Sequence, residues 1–141
     1  MSQENVERHR RVIEAYNAQD AEAFIALCDP SVEVYSVFAA VDGRVYHGHD
    51  GLRKGFREAS DTWGGHIRLD PEGYFDLGEG TLAIYALRGR GRQSGVEVAM
   101  SFAQVIRWRD GLVVHLKAYA DAEDALSELG ISEDRLEWID P

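Results

Sequence analysis

Residues 96–130 read VEVAMSFAQVIRWRDGLVVHLKAYADAEDALSELG, and this stretch decides the fold. It predicts a long strand over residues 95–108, a tight turn at residues 109–111, a second strand over 112–120, and a short helix over 122–129 that ends at Gly130. One carboxylate, Asp121, lies where the second strand stops and the helix starts. Its side chain could cap the helix or point into a cavity under the sheet, and both interpretations stay open.

The upstream sequence predicts helices first and strands afterwards. Helices are expected over residues 4–18, over 21–28 with Asp20 as the cap, and over 51–62 with Asp50 as the cap, the second ending at Asp29-Pro30. A strand over 31–38 and a loop with a short strand over 39–47 lie between them, and strands near 66–76 and 80–91 follow. Helices segregated from antiparallel strands predict an α+β fold, in which a strongly curved mixed or antiparallel sheet packs on three N-terminal helices.

The two faces of the strand at 95–108 differ in composition. Its even residues run from Val96 through Met100, Phe102 and Gln104 to Trp108, and we expect this face to be buried under the helices. Its odd residues are small and mixed in polarity. A face of small residues suits a second sheet laid against it, so we expect a homodimer through the sheet face.

Composition limits the class of protein. A chain of 141 residues fits one domain over 1–141, and a net charge of −10 without a basic stripe argues against nucleic-acid binding. Alternating arginines at 88, 90 and 92 are typical of a solvated strand edge or of an anion contact. No apolar run is long enough for a membrane span, and the polar N-terminus lacks a signal-peptide core, so we expect a cytoplasmic protein with no membrane partner. The lone Cys28 excludes an intrachain disulfide and is expected to be buried.

Several segments resemble one known group of proteins. They are YNAQD at residues 16–20, ALCDPSV at 26–32, YHGHDGL at 46–52, WRDGLVV at 108–114, YAD at 119–121 and LSELG at 126–130. Together they resemble the SnoaL-like branch of the nuclear-transport-factor-2-like superfamily. The resemblance implies a cone-shaped pocket between the helices and the concave sheet. Members include polyketide cyclases, ketosteroid isomerases, limonene epoxide hydrolases, scytalone dehydratases and non-catalytic binding or dimerisation modules, so chemistry must be argued from residues.

The resemblance can be tested against three catalytic arrangements. The isomerase positions fall on Val12, Tyr35 and Gln104, and all three depart from the isomerase pattern, although Gln104 could still donate a hydrogen bond to an oxyanion. The epoxide-hydrolase network would use Asp121 with Arg88 or Arg90, but strand 80–91 lacks its second aspartate. The cyclase arrangement fits best, because its acid/base aspartate matches Asp121.

Strand parity and the histidines complicate the catalytic interpretation. If Leu116, Ala118 and Ala120 face the cavity, Asp121 faces away unless the strand bulges. The histidines at 47, 49 and 66 could supply a second proton-transfer group. The first two also have the spacing of a metal pair, but a helix cap at Asp50 explains this stretch better, so we expect no metal.

We therefore expect a protein that binds a small, apolar organic molecule in the cone-shaped pocket. Cofactor-free acid/base catalysis of the cyclase, isomerase or hydrolase kind is included as a hypothesis, with Asp121 as proton carrier and Gln104 as polar positioner. A non-catalytic ligand-binding or dimerisation module is the alternative. No phosphate loop or dinucleotide fingerprint is found, so no cofactor is expected. The expected ligand contacts are Tyr16, Tyr35, His49, Phe56, Trp63, Met100 and Phe102.

Overall fold

A computed structural model describes residues 2–36 and 44–141. Within these residues the chain forms four α-helices and seven strands. The first half contains α1 (Ser2–Asn17), α2 (Ala21–Ala26), β1 (Cys28–Tyr35), β2 (Val45–His47) and α3 (Gly48–Trp63). The second half contains β3 (Ile67–Asp76), β4 (Gly80–Arg90), β5 (Glu97–Arg109), β6 (Leu112–Tyr119), α4 (Ala122–Leu129), a 3-10 turn (Glu133–Arg135) and β7 (Trp138–Ile139).

The strands form one curved, mixed sheet in the order β2-β1-β6-β5-β4-β3-β7. β1 pairs parallel with β6, and the other neighbours pair antiparallel. The two outermost strands do not pair with each other, so the sheet stays open. The predicted α+β class with a curved mixed sheet is confirmed.

The helices cover the two faces of the sheet unequally. The first three helices pack on the concave face, where buried residues include Val12, Phe24 and Leu52. α4 packs on the opposite face through Ala125 and Leu126. There it covers aliphatic residues of the sheet, which are Leu82, Ala103 and Val105. Side chains alternate between faces along a strand, so the odd-numbered residues of β5 that α4 covers are unavailable to a second chain.

The predicted burial of the even face of β5 is wrong near its start. Val96 is 60% exposed and Met100 is 51% exposed. These residues are exposed because β6 pairs with β5 only from Ala103, opposite Tyr119, onward. The start of β5 therefore extends beyond the end of β6. Gln104 and Ile106, further along β5, are buried as expected.

The helix ends depart from the predictions at two positions. Asp20 caps α2 by accepting a hydrogen bond from the Ala23 backbone N–H at 3.0 Å, as expected. α2 nevertheless ends at Ala26, and Cys28 begins a strand. α3 begins at Gly48 with His47 as its N-cap, so Asp50 lies in the first turn and the prediction that it caps the helix is wrong.

α1 is attached to the sheet by a pair of reciprocal hydrogen bonds. The Asn17 side-chain amide donates to the Leu69 carbonyl at 2.8 Å, and its oxygen accepts from the Leu69 backbone N–H at 2.8 Å. This amide replaces a missing strand partner for β3 and sets where the helix crosses the sheet. The predicted hairpin between β5 and β6 forms with positive φ at Asp110 and Gly111.

Two predicted segments lie partly outside the described residues. The strand expected over 31–38 is observed as Cys28–Tyr35, and its last two expected residues are not described. The short strand expected within 39–47 is Val45–His47, and residues 39–43 are likewise not described. In the described part of the chain, no helix combines the length and apolar character that crossing a bilayer requires.

Candidate ligand-binding site

A cavity of about 380 Å³ lies between the concave face of the sheet and the first three helices. This volume falls within the range of pockets that hold small organic molecules. Its walls are mostly aliphatic and aromatic. The helices contribute Val12, Ile13, Phe24, Leu52 and Phe56, and the sheet contributes Val34, Ile67, Leu69, Leu87 and Leu116.

Polar atoms in the interior of the cavity come mainly from Gln104 and from tyrosines. Tyr16 and Tyr85 both line the cavity, and burial raises the pKa of Tyr16 to about 12. Burial also raises the pKa of Tyr85, and the neighbouring Tyr16 raises it further. Both phenols therefore stay neutral near pH 7 and can donate hydrogen bonds to a guest.

A charged group of side chains lies at the border of the cavity. Arg44 Nη1 contacts Glu58 Oε2 at 2.9 Å, and the Tyr46 hydroxyl donates to Glu58 Oε1 at 3.3 Å. Glu58 and Arg44 are partly or fully accessible to solvent. The carboxylate is therefore neutralised by a cation at the border, while the deeper interior is lined by uncharged groups.

A buried polar cluster stands behind Gln104. His9 is 0% exposed, and its Nε2 lies 2.8 Å from Gln104 Oε1 while its Nδ1 lies 2.7 Å from Thr81 Oγ1. Trp108 Nε1 donates to the same Thr81 oxygen at 2.9 Å. Burial lowers the pKa of His9 to about 4, against an opposing contribution from the Gln104 hydrogen bond. The imidazole is thus neutral at neutral pH, and one of its nitrogens must act as an acceptor.

Five of the predicted site residues line the cavity. They are Tyr16, Tyr35, Phe56, Trp63 and Gln104. They come from α1, β1, α3 and β5, so the fold brings together residues that are far apart in the sequence. Of the three β6 residues whose inward orientation was considered, Leu116 and Ala118 line the cavity, whereas Ala120 does not and is exposed.

Asp121 lies outside the cavity and caps α4. Its carboxylate accepts a hydrogen bond from the Asp124 backbone N–H at 2.8 Å, and the residue is exposed. The backbone reaches it in an extended conformation, with no bulge to turn the side chain inward. Of the two interpretations of Asp121, the helix cap is therefore the one observed.

Three further predicted ligand contacts also lie elsewhere. Met100 is exposed beyond the end of β6, and the Phe102 ring packs 6.2 Å from the Tyr85 ring. His49 Nε2 donates to the Cys28 carbonyl at 3.0 Å, which ties α3 to β1. His47, by contrast, contacts Glu33 at 3.4 Å on the outer side of β1. The two histidines therefore point to different neighbours despite their close spacing.

Several residues of the site were not predicted. His9 stands between arginines in ERHRR, a stretch that indicates a solvated helix face. Thr81 and Tyr85 belong to β4, for which no inward-facing residues were predicted. Side chains alternate between the two faces of a strand, and Thr81, Tyr85 and Leu87 are all odd-numbered residues of β4. Applying this alternation to β4 would have placed Thr81 and Tyr85 on its inward-facing side.

Comparisons with known proteins agree with this geometry. The model of the SnoaL-like domain family matches residues 9–116. No curated protein matches the sequence. Solved structures that share the fold include the following three. A nuclear-transport-factor-2-like protein of unknown function from Burkholderia pseudomallei is 21% identical, with 88% of this chain and 95% of that chain covered and a TM-score of 0.74.

The other two structures are similar at lower identity. A candidate polyketide cyclase from Xanthomonas campestris pv. campestris is 16% identical, with 91% and 98% of the two chains covered and a TM-score of 0.74. A protein with a ketosteroid isomerase-like fold from Catenulispora acidiphila, in complex with trimethylamine, is 12% identical, with 91% and 95% covered and a TM-score of 0.73. Sequence identities this low show a shared fold and nothing about function. Since the family match extends from α1 through β6 and includes most of the cavity wall, the chain belongs to the SnoaL-like domain family.

Proposed function

We propose that this protein binds a small, largely apolar organic molecule in the cavity between the concave sheet and the first three helices. The observation that carries this proposal is the cavity itself, about 380 Å³ in volume, with aliphatic and aromatic walls and an amide at Gln104. Pockets with apolar walls and a few polar groups at fixed positions are typical of small-molecule sites.

The walls favour a flat, ring-containing guest. Tyr16 and Phe56 have ring centroids 5.7 Å apart, and Phe56 also packs at 5.3 Å against Phe24. Such a cluster offers ring edges and faces at fixed angles. Ala118 lies opposite Gln104 on the neighbouring strand and leaves open space beside the amide.

Proton transfer is a weaker candidate for this cavity. Asp121 lies outside it as a helix cap, and Glu58 lies at its border in an ion pair with Arg44. A general base must come within hydrogen-bond reach of the proton it removes. The groups in the interior, an amide and neutral phenols, serve binding and orientation better, which favours the non-catalytic ligand-binding alternative.

Binding can be tested with fluorene and 9-fluorenone as flat probes. Quenching of tryptophan fluorescence reports the interaction, because Trp63 lines the cavity. Ala118→Phe places a ring in the cavity, and we expect the affinity for both probes to fall at least about ten-fold. Ala23→Phe is the matched control, because Ala23 is exposed on α2 and is not a lining residue.

Two outcomes would contradict the proposal. If neither probe binds, the cavity does not take flat apolar molecules. If both probes bind and Ala118→Phe leaves their affinities equal to those of the Ala23→Phe control, the binding occurs elsewhere on the surface.

A further inference from the structure

The buried cluster behind Gln104 has only one consistent hydrogen-bond direction. It begins at Trp108, whose indole N–H can donate but cannot accept. This N–H donates to Thr81 Oγ1 at 2.9 Å. The Thr81 hydroxyl thus accepts one bond and still has its own hydrogen to place.

Thr81 has one acceptor for that hydrogen among residues 2–36 and 44–141. Its side chain is 0% exposed, and its second hydrogen-bond partner is His9 Nδ1 at 2.7 Å. A buried hydroxyl group whose hydrogen has no acceptor destabilises the fold by the full free energy of its desolvation. The Thr81 O–H therefore donates to His9 Nδ1, and that nitrogen carries no proton.

The neutral imidazole must then carry its proton on Nε2. This N–H donates to Gln104 Oε1 at 2.8 Å. The oxygen of the Gln104 amide is consequently held on the side of His9. The group that remains for the cavity is the Gln104 NH2, which can only donate.

We propose that His9 is a positioning residue that fixes the Gln104 amide with its NH2 toward the cavity, so that the ligand must present a hydrogen-bond acceptor there, such as a carbonyl oxygen. This inference rests on the proposed binding function and specifies the ligand's polar group. The direction is set at Trp108 and passes through Thr81 and His9 to Gln104. Of these four residues, only Gln104 lines the cavity. Neutral phenols at Tyr16 and Tyr85 add further donors along the same walls.

The series of hydrogen bonds from Trp108 through Thr81 and His9 to Gln104 is called the relay below. The tautomer of His9 tests the relay without any ligand. Long-range proton–nitrogen NMR spectra at neutral pH distinguish a protonated ring nitrogen from an unprotonated one. We expect His9 to be protonated at Nε2 and unprotonated at Nδ1. A proton on Nδ1 would reverse the relay and overturn the inference.

Matched probes test the consequence for ligand choice. 9-Fluorenone presents an acceptor, carbazole presents an N–H donor, and fluorene presents neither on nearly the same ring frame. We expect 9-fluorenone to bind about three- to ten-fold more tightly than fluorene, which corresponds to one net hydrogen bond, and carbazole to bind no better than fluorene. A preference for carbazole, or equal affinities for all three, would overturn the inference.

Two variants of Thr81 separate positioning from a structural role. Thr81→Val removes the hydroxyl without touching the cavity wall, and we expect the ratio of fluorene to 9-fluorenone dissociation constants to fall toward one. Thr81→Ser keeps the hydroxyl and should keep the ratio. An unchanged ratio in Thr81→Val would overturn the inference. Failure of all three probes to bind the native protein would instead reject the binding function, and the choice of ligand with it, whereas the NMR result would still report the relay.

Discussion

His9 is a residue whose burial makes the stability of the protein depend on pH. Its ring is fully buried, and burial lowers its pKa to about 4 from an ordinary value of 6.5. Between these two values the unfolded chain binds a proton that the folded chain does not. The stabilising contribution is therefore complete above pH 6.5 and is lost as the pH falls toward 4.

The pH dependence gives a prediction at this residue. From pH 7 to pH 5 the free energy of unfolding should fall by about 2 kcal/mol through His9 alone. Urea unfolding of the native protein and of His9→Gln at both pH values measures this, since carboxylates affect both proteins alike. The variant is expected to be less stable at pH 7 but to lose about 2 kcal/mol less on acidification. Equal losses in both proteins would show that His9 is not the responsible group.

Asp121 gives a second prediction at the residue scale. Because its carboxylate caps α4, Asp121→Ala should lower the free energy of unfolding by about 1 kcal/mol. Asp121→Asn should cost less, since asparagine also caps helices well. Neither variant should change the affinity for 9-fluorenone, because the residue does not line the cavity. A loss of binding in Asp121→Asn with unchanged stability would show that Asp121 takes part in ligand binding.

The residues that were predicted correctly and those that were missed differ in a physical way. Gln104 was predicted because the family resemblance places it at an isomerase position, on a strand face that is otherwise mostly apolar. His9 carried no such signal, because its neighbours in the sequence are charged and its partners lie 72 and 95 residues away. Pairings over such distances depend on tertiary packing, which local pattern does not encode.

At the scale of elements, the predicted ends agree with the observed ends where the sequence contains clear capping residues. α4 was predicted with its observed limits because Asp121 and Gly130 mark both ends. β1 was placed too late because Asp29-Pro30 indicates a break. The strand tolerates Pro30 because the pairing of β1 with β6 shifts register between Cys28 and Glu33, where no ladder hydrogen bond is needed.

The contact between β3 and β7 supports a prediction about an element. A Cβ at Gly73 would overlap the Trp138 indole, which packs across β3 and lies 5.3 Å from the Phe75 ring. Gly73→Ala should therefore displace the C-terminal strand and cost about 1–3 kcal/mol of unfolding free energy. In a Trp138→Ala background the same change should cost much less.

A double-mutant cycle by urea unfolding measures this coupling between Gly73 and Trp138. Additive losses would mean that the alanine is disfavoured by the strand itself and not by the indole.

At the scale of the whole molecule, the homodimer through the sheet face stays a prediction. α4 covers Ala103 and Val105, which leaves Ala99 and Ser101 as the exposed small residues of that face. On β4, Arg88 lies beside Ala99. A self-pairing face must therefore use the part of the sheet away from α4.

This surface makes the dimer testable. Sedimentation equilibrium should give a mass of twice the 15.8 kDa chain, and Ala99→Arg should return it to the single-chain mass by placing like charges against each other. Ala23→Arg, at an exposed position on α2, is the control and should leave the dimer intact. A single-chain mass for the native protein at high concentration would refute the prediction.

The hydrogen bonds of His9 also constrain the order in which the protein can be built on the ribosome. Thr81 and Gln104 follow it by 72 and 95 residues, and translation at roughly 5–20 residues per second separates His9 from Gln104 by roughly 5–20 seconds. Until Thr81 is synthesised the first helix has neither partner, and until Gln104 follows it lacks the second, so its histidine remains hydrated in the meantime. The wall of the cavity can therefore be complete only after residue 118 has been synthesised, in a late docking step.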